Sequence, residues 1–196
     1  MIAPLIDALA PTERLPVEVS DVADAIIRIG NQDRVEFYGV DRDPAVFLGT
    51  FARYRRRPKV YGEPEFVSQV IYNRNLSIAW QRVVACKELV HIFDPEGEWT
   101  NTPDQVSGLM RNLLDSPEDG GDAALLGMAA ADQLALFPAA GLLFPEAART
   151  HALEAMAAGS ATIDDVVRWA RMPAGIVQTV LSENWPAVLR SIIEGR

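Results

Sequence analysis

The chain has 196 residues, 49% of them hydrophobic, which suits one cored domain or one domain with a small appendage; its net charge of −9 argues against broad nucleic-acid affinity. The single cysteine excludes a disulfide framework and fits a reducing cytoplasm. No apolar run approaches the roughly 20 residues of a membrane span, and the start, Met-Ile-Ala-Pro-Leu-Ile-Asp-Ala, has no basic residue ahead of its apolar ones, so no secretory signal is expected and the expected location is cytoplasmic.

In chain order, residues 20–30 read as an amphipathic helix capped by Ser20 and stopped at Gly30. Residues 34–40, Arg-Val-Glu-Phe-Tyr-Gly-Val, alternate like a strand, and residues 45–54 and 65–73 supply two more. Between these last two lies a basic run, Arg53, Arg55, Arg56, Arg57 and Lys59, interleaved with Tyr54, Pro58 and Tyr61. Such a run is read as a solvated hairpin edge, where cations block edge-to-edge pairing; its functional alternative is an anion or partner-docking loop. A helix is expected over 76–93 with Asn75 and Ser77 as caps, another from Pro103 to Leu114, and another from Asp122 to Leu143. Beyond that the chain is expected to be all helical. Thr162 caps one helix whose first turn carries Asp164 and Asp165, Pro173 opens the next over Ala174–Leu181, and Pro186 opens the last. Three strands followed by helices predict an α+β fold with a small N-terminal sheet and a helical C-terminal part.

Chemistry concentrates in the helix over 76–93. It contains Lys87-Glu88-Leu89-Val90-His91. The zinc-peptidase motif H-E-x-x-H sets two histidines four apart on one helical face, with a general-base glutamate beside the first. Here the glutamate and the second histidine are present, and the first histidine is lysine. A catalytic zinc needs about three protein ligands and an open position for water. A lysine at its ordinary pKa is an ammonium with three donors and no acceptor, so it repels a cation. Other ligands are scarce, since the chain has only two histidines, His91 and His151, and Cys86 is five positions from His91, on a diverging direction of the helix.

The order of features around this helix resembles the ImmA/IrrE family of metallopeptidases. A strand ends in an asparagine (Asn73), the motif helix follows, and residues 132–145, Asp-Gln-Leu-Ala-Leu-Phe-Pro-Ala-Ala-Gly-Leu-Leu-Phe-Pro, are similar to the family's later E-x-x-A-x-x-F-A-A-x-L-L-M-P segment. Ala135, Ala139, Ala140, Leu142, Leu143 and Pro145 match its small and apolar positions. Pro138 and Phe144 depart from it, and Pro138 is expected to kink its helix. The resemblance covers roughly residues 45–185, boundaries being good to a few residues. It implies a zincin-like domain over 1–150, with the sheet packed on the motif helix, and a helical extension over 151–196. It also implies that His91 and Asp132 stand where two metal ligands would be, that Glu88 would be the catalytic base of an active enzyme, and that Lys87 lies in the same pocket.

Three functions follow as expectations. The first is a catalytically degenerate peptidase that needs no cofactor and acts as a protein-binding or regulatory module; the resemblance implies a helix-turn-helix regulator as the partner. The second is an active zinc peptidase with His91, Asp132 and His151 as ligands and Glu88 as base. The third is an unrelated cytoplasmic binding module. Residues 162–183 themselves resemble a helix-turn-helix, but the second helix, Ala-Gly-Ile-Val-Gln-Thr-Val-Leu, offers only Gln178 and Thr179 as polar readers. A packed helical hairpin is therefore expected, with no direct nucleic-acid contact, and Trp169 and Trp185 are expected to be core or packing residues rather than binding platforms.

Overall fold

A computed structural model describes residues 2–57, 63–94 and 134–194. The expected α+β class is observed: a three-stranded sheet and, among the described residues, eight α-helices. The first is one the sequence reading did not anticipate, α1 (Ala3–Leu9), with Pro4 in its first turn and Leu5 and Leu9 buried. Helix α2 (Val19–Arg28) starts one residue ahead of the expected cap. Its cap is Glu18, whose side chain accepts from the Asp21 amide while the Asp21 carboxylate accepts from the Glu18 N–H at 3.0 Å. A carboxylate there also suits the positive end of the helix dipole. Gly30, at φ 106°, terminates the helix as expected, in a conformation that side chains strain to adopt.

Strands β1 (Arg34–Val40), β2 (Gly49–Arg56) and β3 (Glu65–Asn73) form a sheet in the order β1-β3-β2. β1 runs parallel to β3, pairing Arg34 with Val67 through Val40 with Asn73, and β2 runs antiparallel to β3, pairing Gly49 with Tyr72 through Arg56 with Glu65. The expected strand from 45 starts at 49 instead. Asp43 is the reason: its carbonyl accepts from Val46 and Phe47 N–H and its Oδ1 from Ala45 N–H at 2.9 Å, so the chain turns before it extends. By period-two alternation, Gly49 and Phe51 of β2 share a face with Val70 and Tyr72 of β3, and α3 (Ile78–Val90) lies on that face.

The basic run is largely engaged. Arg53 pairs with buried Asp33, which also accepts from the buried Ser68 hydroxyl at 2.7 Å. Arg53 and Arg55 both lie over the Phe66 ring, and Arg56 pairs with Glu65 at 2.8 Å. β2 is an edge strand, as the hairpin-edge reading requires. Pro58, Lys59 and Tyr61 lie outside the described residues, as does the expected helix 103–114.

The described part of the expected 122–143 helix is α4 (Leu136–Leu143). Ala135, between helical Leu134 and α4, is a turn residue. Pro138 lies inside α4, where its missing N–H removes the helical donor to the Leu134 carbonyl. The remaining helices are α5 (Glu146–Ala157), α6 (Ile163–Ala170), α7 (Ala174–Leu181) and α8 (Trp185–Glu194). The division expected at 150/151 falls inside α5, and one apolar core continues across it, from Ile2, Leu5 and Ile26 through Val83, Leu89 and Leu142 to Met172, Val177 and Trp185. α6 and α7 meet at Arg171, at φ 50°, and bury Val166, Ala170, Val177 and Val180, which makes them the packed hairpin expected. Trp185 is buried and stacked on Phe137 at 6.1 Å between centroids, but Trp169 is 39% exposed, against expectation. Position accounts for it: Val166 and Ala170 carry the buried stripe of α6, and a residue one before Ala170 points about 100° away from it.

Thr162 caps α6 as its sequence predicts, with its hydroxyl accepting from the Asp165 amide and the Asp165 carboxylate accepting from the Thr162 N–H at 2.8 Å. Hydrogen bonds from Thr162, and then Arg168, hold the Asp165 carboxyl below its ordinary range. The capping contribution is therefore present above the ordinary aspartate range near 3.9 and lost as pH falls through the lower folded value. Thr162→Ala is expected to cost about 1 kcal/mol in urea unfolding, with the Asp165 titration, followed by NMR, moving back up.

Candidate functional site

α3 starts at Ser77, whose hydroxyl accepts from the Trp80 N–H at 3.4 Å, and it leaves β3 through a junction built on Asn73. Asn73 is fully buried. Its Nδ2 donates to the Arg42 and Phe47 carbonyls at 3.1 and 2.8 Å, its Oδ1 accepts from the Asn75 N–H at 3.0 Å, and its backbone N–H donates to the Leu48 carbonyl at 2.9 Å. One side chain thus ties the loop after β1 to the turn that aims α3. Asn75 donates to the Arg42 carbonyl and belongs to this junction; Ser77 alone is the cap.

Near its C-terminal end α3 approaches β2 closely. A Cβ on Gly49 would meet Val84 Cγ1 at 2.5 Å and Glu88 Cγ at 3.1 Å, so the glycine is what lets the helix settle over the strand there. Glu88 is 2% exposed. A buried carboxylate needs compensation, and Lys87 supplies part of it: its Nζ donates to Glu88 Oε1 at 2.9 Å, with its own side chain 11% exposed. Adjacent helical residues point about 100° apart, so this contact requires the lysine stem to fold back across the helix surface.

His91 follows on a single 3₁₀ turn, His91–Phe93, where the α-helix was expected to run on to 93. Its Nδ1 lies 2.5 Å from Asp94 Oδ2, and its ring is 6.4 Å from that of Phe51 on β2. The carboxylate accepts the Nδ1 proton and leaves Nε2 as the ring's other functional nitrogen. From sequence Asp94, with Glu96 and Glu98, reads as part of an ordinary polar loop, and Gly49 and Phe51 read only as members of the strand expected over 45–54. A signal in the sequence was Gly49 inside the expected strand 45–54, since a glycine there marks close backbone approach.

Of the expected site residues, Lys87, Glu88 and His91 come together beside β2. Asp132 lies outside the described residues. His151 is exposed on α5, and among the described residues no group of three or more His, Cys, Asp and Glu converges as a metal site. Lys87, four positions before His91, places its ammonium against the Glu88 carboxylate. Cys86, on the opposite side of α3, is fully buried with its Sγ 3.7 Å from the Ala139 carbonyl, and burial pushes its thiol up to about 12. The thiolate is the reactive form, so Cys86 is expected to resist iodoacetamide at pH 8 in the folded protein and to react stoichiometrically in urea, as read by mass spectrometry.

No helix among the described residues is long and apolar enough to cross a membrane. No protein family, no characterised protein and no solved structure matches this chain.

Proposed function

We propose that this protein is a catalytically degenerate relative of the ImmA/IrrE-type metallopeptidases that acts by binding another protein. The observation that carries the reading is the Lys87 ammonium, 2.9 Å from Glu88 inside the site. In a working peptidase of this kind a divalent cation and its water face the glutamate. Here a covalently attached cation does, which supports a pocket in which Lys87 takes the place of the metal against Glu88. Further support is topological. β3 ends at Asn73 and leads directly into the motif helix, and the small residues Ala139 and Ala140, with Leu142 and Leu143, are buried on α4, an element that packs on α3. This is the order and the pattern that the resemblance implies. On the same resemblance the partner is a transcriptional regulator of the helix-turn-helix type, held without being cleaved; that step is an analogy of fold.

The test is metal content and its restoration. Protein purified without chelators is expected to carry no stoichiometric zinc by elemental analysis. Lys87→His, which sets imidazoles at positions 87 and 91, is expected to bind zinc that wild type does not. One zinc per wild-type chain, lost on His91→Ala, would overturn the reading in favour of an active zinc peptidase. Failure of Lys87→His to gain any affinity would remove the resemblance itself.

A further inference from the structure

A cleft of about 320 Å³ opens on a different face of α3. Ile78, Gln81, Arg82 and Ala85 follow one another at i, i+3, i+4 and i+7, so they share a stripe of the helix and form one side. Phe37 of β1, Tyr72 of β3 and residues 18–20 at the start of α2 form the other. The volume falls at the lower end of the range for small-molecule sites. At the roughly 30 Å³ that a water occupies in the liquid, it equals about ten waters, or a ligand of about ten non-hydrogen atoms. Lys87, Glu88 and His91 do not line the cleft, so it stands or falls without regard to the metal question.

Its charges are already matched within the protein. Among the described residues, Glu18 and Arg82 are the charged ones lining it, and they pair with each other. Arg82 also donates to the Val17 carbonyl at 2.6 Å. The Glu18 carboxylate accepts from the Asp21 amide and the Asp21 carboxylate from the Glu18 N–H at 3.0 Å, so the start of α2 is capped. A charged ligand would give up its hydration here for groups already engaged, and that cost selects a neutral one. The rest of the lining is largely apolar and open to solvent, with Ile78 67% and Phe37 38% exposed. Gly39 shares a face of β1 with Phe37. A Cβ on Gly39 would lie 3.4 Å from Tyr72 Cζ, so the Tyr72 ring reaches across to β1 on the face that carries Phe37. Two aromatic rings thus border the hollow. Gln81 adds a polar group of fixed orientation. Its Nε2 donates to the Arg74 and Leu76 carbonyls at 3.0 and 2.8 Å, which spends both amide hydrogens and leaves Oε1 as the acceptor it can offer.

We infer that the cleft between α2, α3 and the β1–β3 face binds a small neutral aromatic molecule carrying one N–H donor. Its ring packs on Phe37, Tyr72 and Ile78, and its N–H donates to Gln81 Oε1. The matched Glu18–Arg82 pair sets the neutrality, the two rings set the aromatic character through offset or edge-to-face contact, and the volume sets the size at about two fused rings.

Indole is the probe, titrated calorimetrically into the full-length protein. One saturable site with a Kd below about 1 mM is expected, within reach of a ligand of this size. Benzofuran, which keeps the ring shape and lacks the N–H, is expected to bind at least about threefold more weakly, the scale of one neutral hydrogen bond. Indole-3-carboxylate is expected to bind at least about tenfold more weakly than indole, because the guanidinium in the cleft is committed to Glu18. Ile78→Asp is expected to weaken indole at least about tenfold by setting a charge on the apolar rim. Its side chain is largely exposed, and an aspartate at the first position of α3 suits the helix dipole, so circular dichroism should be unchanged. Phe37→Ala, at another exposed position, removes one aromatic wall and is expected to weaken indole by a similar factor. Absence of saturable binding by wild type, benzofuran or the carboxylate binding as tightly as indole, or a folded Ile78→Asp or Phe37→Ala variant that binds like wild type would each overturn the assignment.

Discussion

Lys87→Met is expected to destabilise the protein by roughly 3–5 kcal/mol, because the methionine leaves the Glu88 carboxylate buried without its ammonium. Glu88 is 2% exposed and accepts from Lys87 Nζ at 2.9 Å, so solvent cannot take the lysine's place. The measurement is urea unfolding, with the midpoint falling at constant slope. The double variant Lys87→Met/Glu88→Gln should recover most of the loss, since replacing both charges by neutral groups removes the stranded one. A single-variant effect below about 0.5 kcal/mol is the size of a surface substitution; it would mean that the lysine turns to solvent and that the cation-replacement reading of the pocket is wrong.

Arg149→Met has the second large expected effect. Arg149 lies on α5, 8% exposed, and its guanidinium spans the end of α7: Nε donates to the Val180 carbonyl at 2.8 Å and one terminal nitrogen to the Ser182 carbonyl at 2.9 Å. The last carbonyls of a helix have no partner within it, and a cation there also complements the negative end of the dipole. Hydrogen bonds to charged groups contribute about 1.5–3 kcal/mol each and do not simply add, so a loss of about 3 kcal/mol is expected. For a protein of this size that lowers Tm by roughly 6–12 °C. Arg149→Lys should recover little, because one ammonium cannot reproduce the two-pronged geometry. A methionine variant that melts within a degree or two of wild type would mean that the end of α7 needs no outside donor.

The sequence by itself determined the features that depend on local rules. The α+β class followed from alternation at 34–40 and 65–73 giving way to helical periodicity. The Thr162 cap, the stop at Gly30 and the Pro173 start of α7 each rest on one residue's backbone preference or hydrogen-bonding reach, and they are observed as read. The adjacency of Lys87, Glu88 and His91 was legible for the same reason, since helix geometry fixes which neighbours share a side.

Tertiary structure decided whatever depends on partners far away in sequence. Asp43 turning the chain moved the start of β2 from 45 to 49, and the Glu18–Asp21 pair moved the start of α2. Pairing of Arg53 with Asp33 and of Arg56 with Glu65 turned much of a basic run into internal ion pairs, which no count of charges along the chain could show. The strand order β1-β3-β2, with Gly49 beneath Glu88, put a buried carboxylate where Lys87 folds back to meet it. The cleft at Arg82 joins residues 18–20, 37, 72 and 78–85. These segments lie far apart in sequence, and only the folded chain brings them to one cleft.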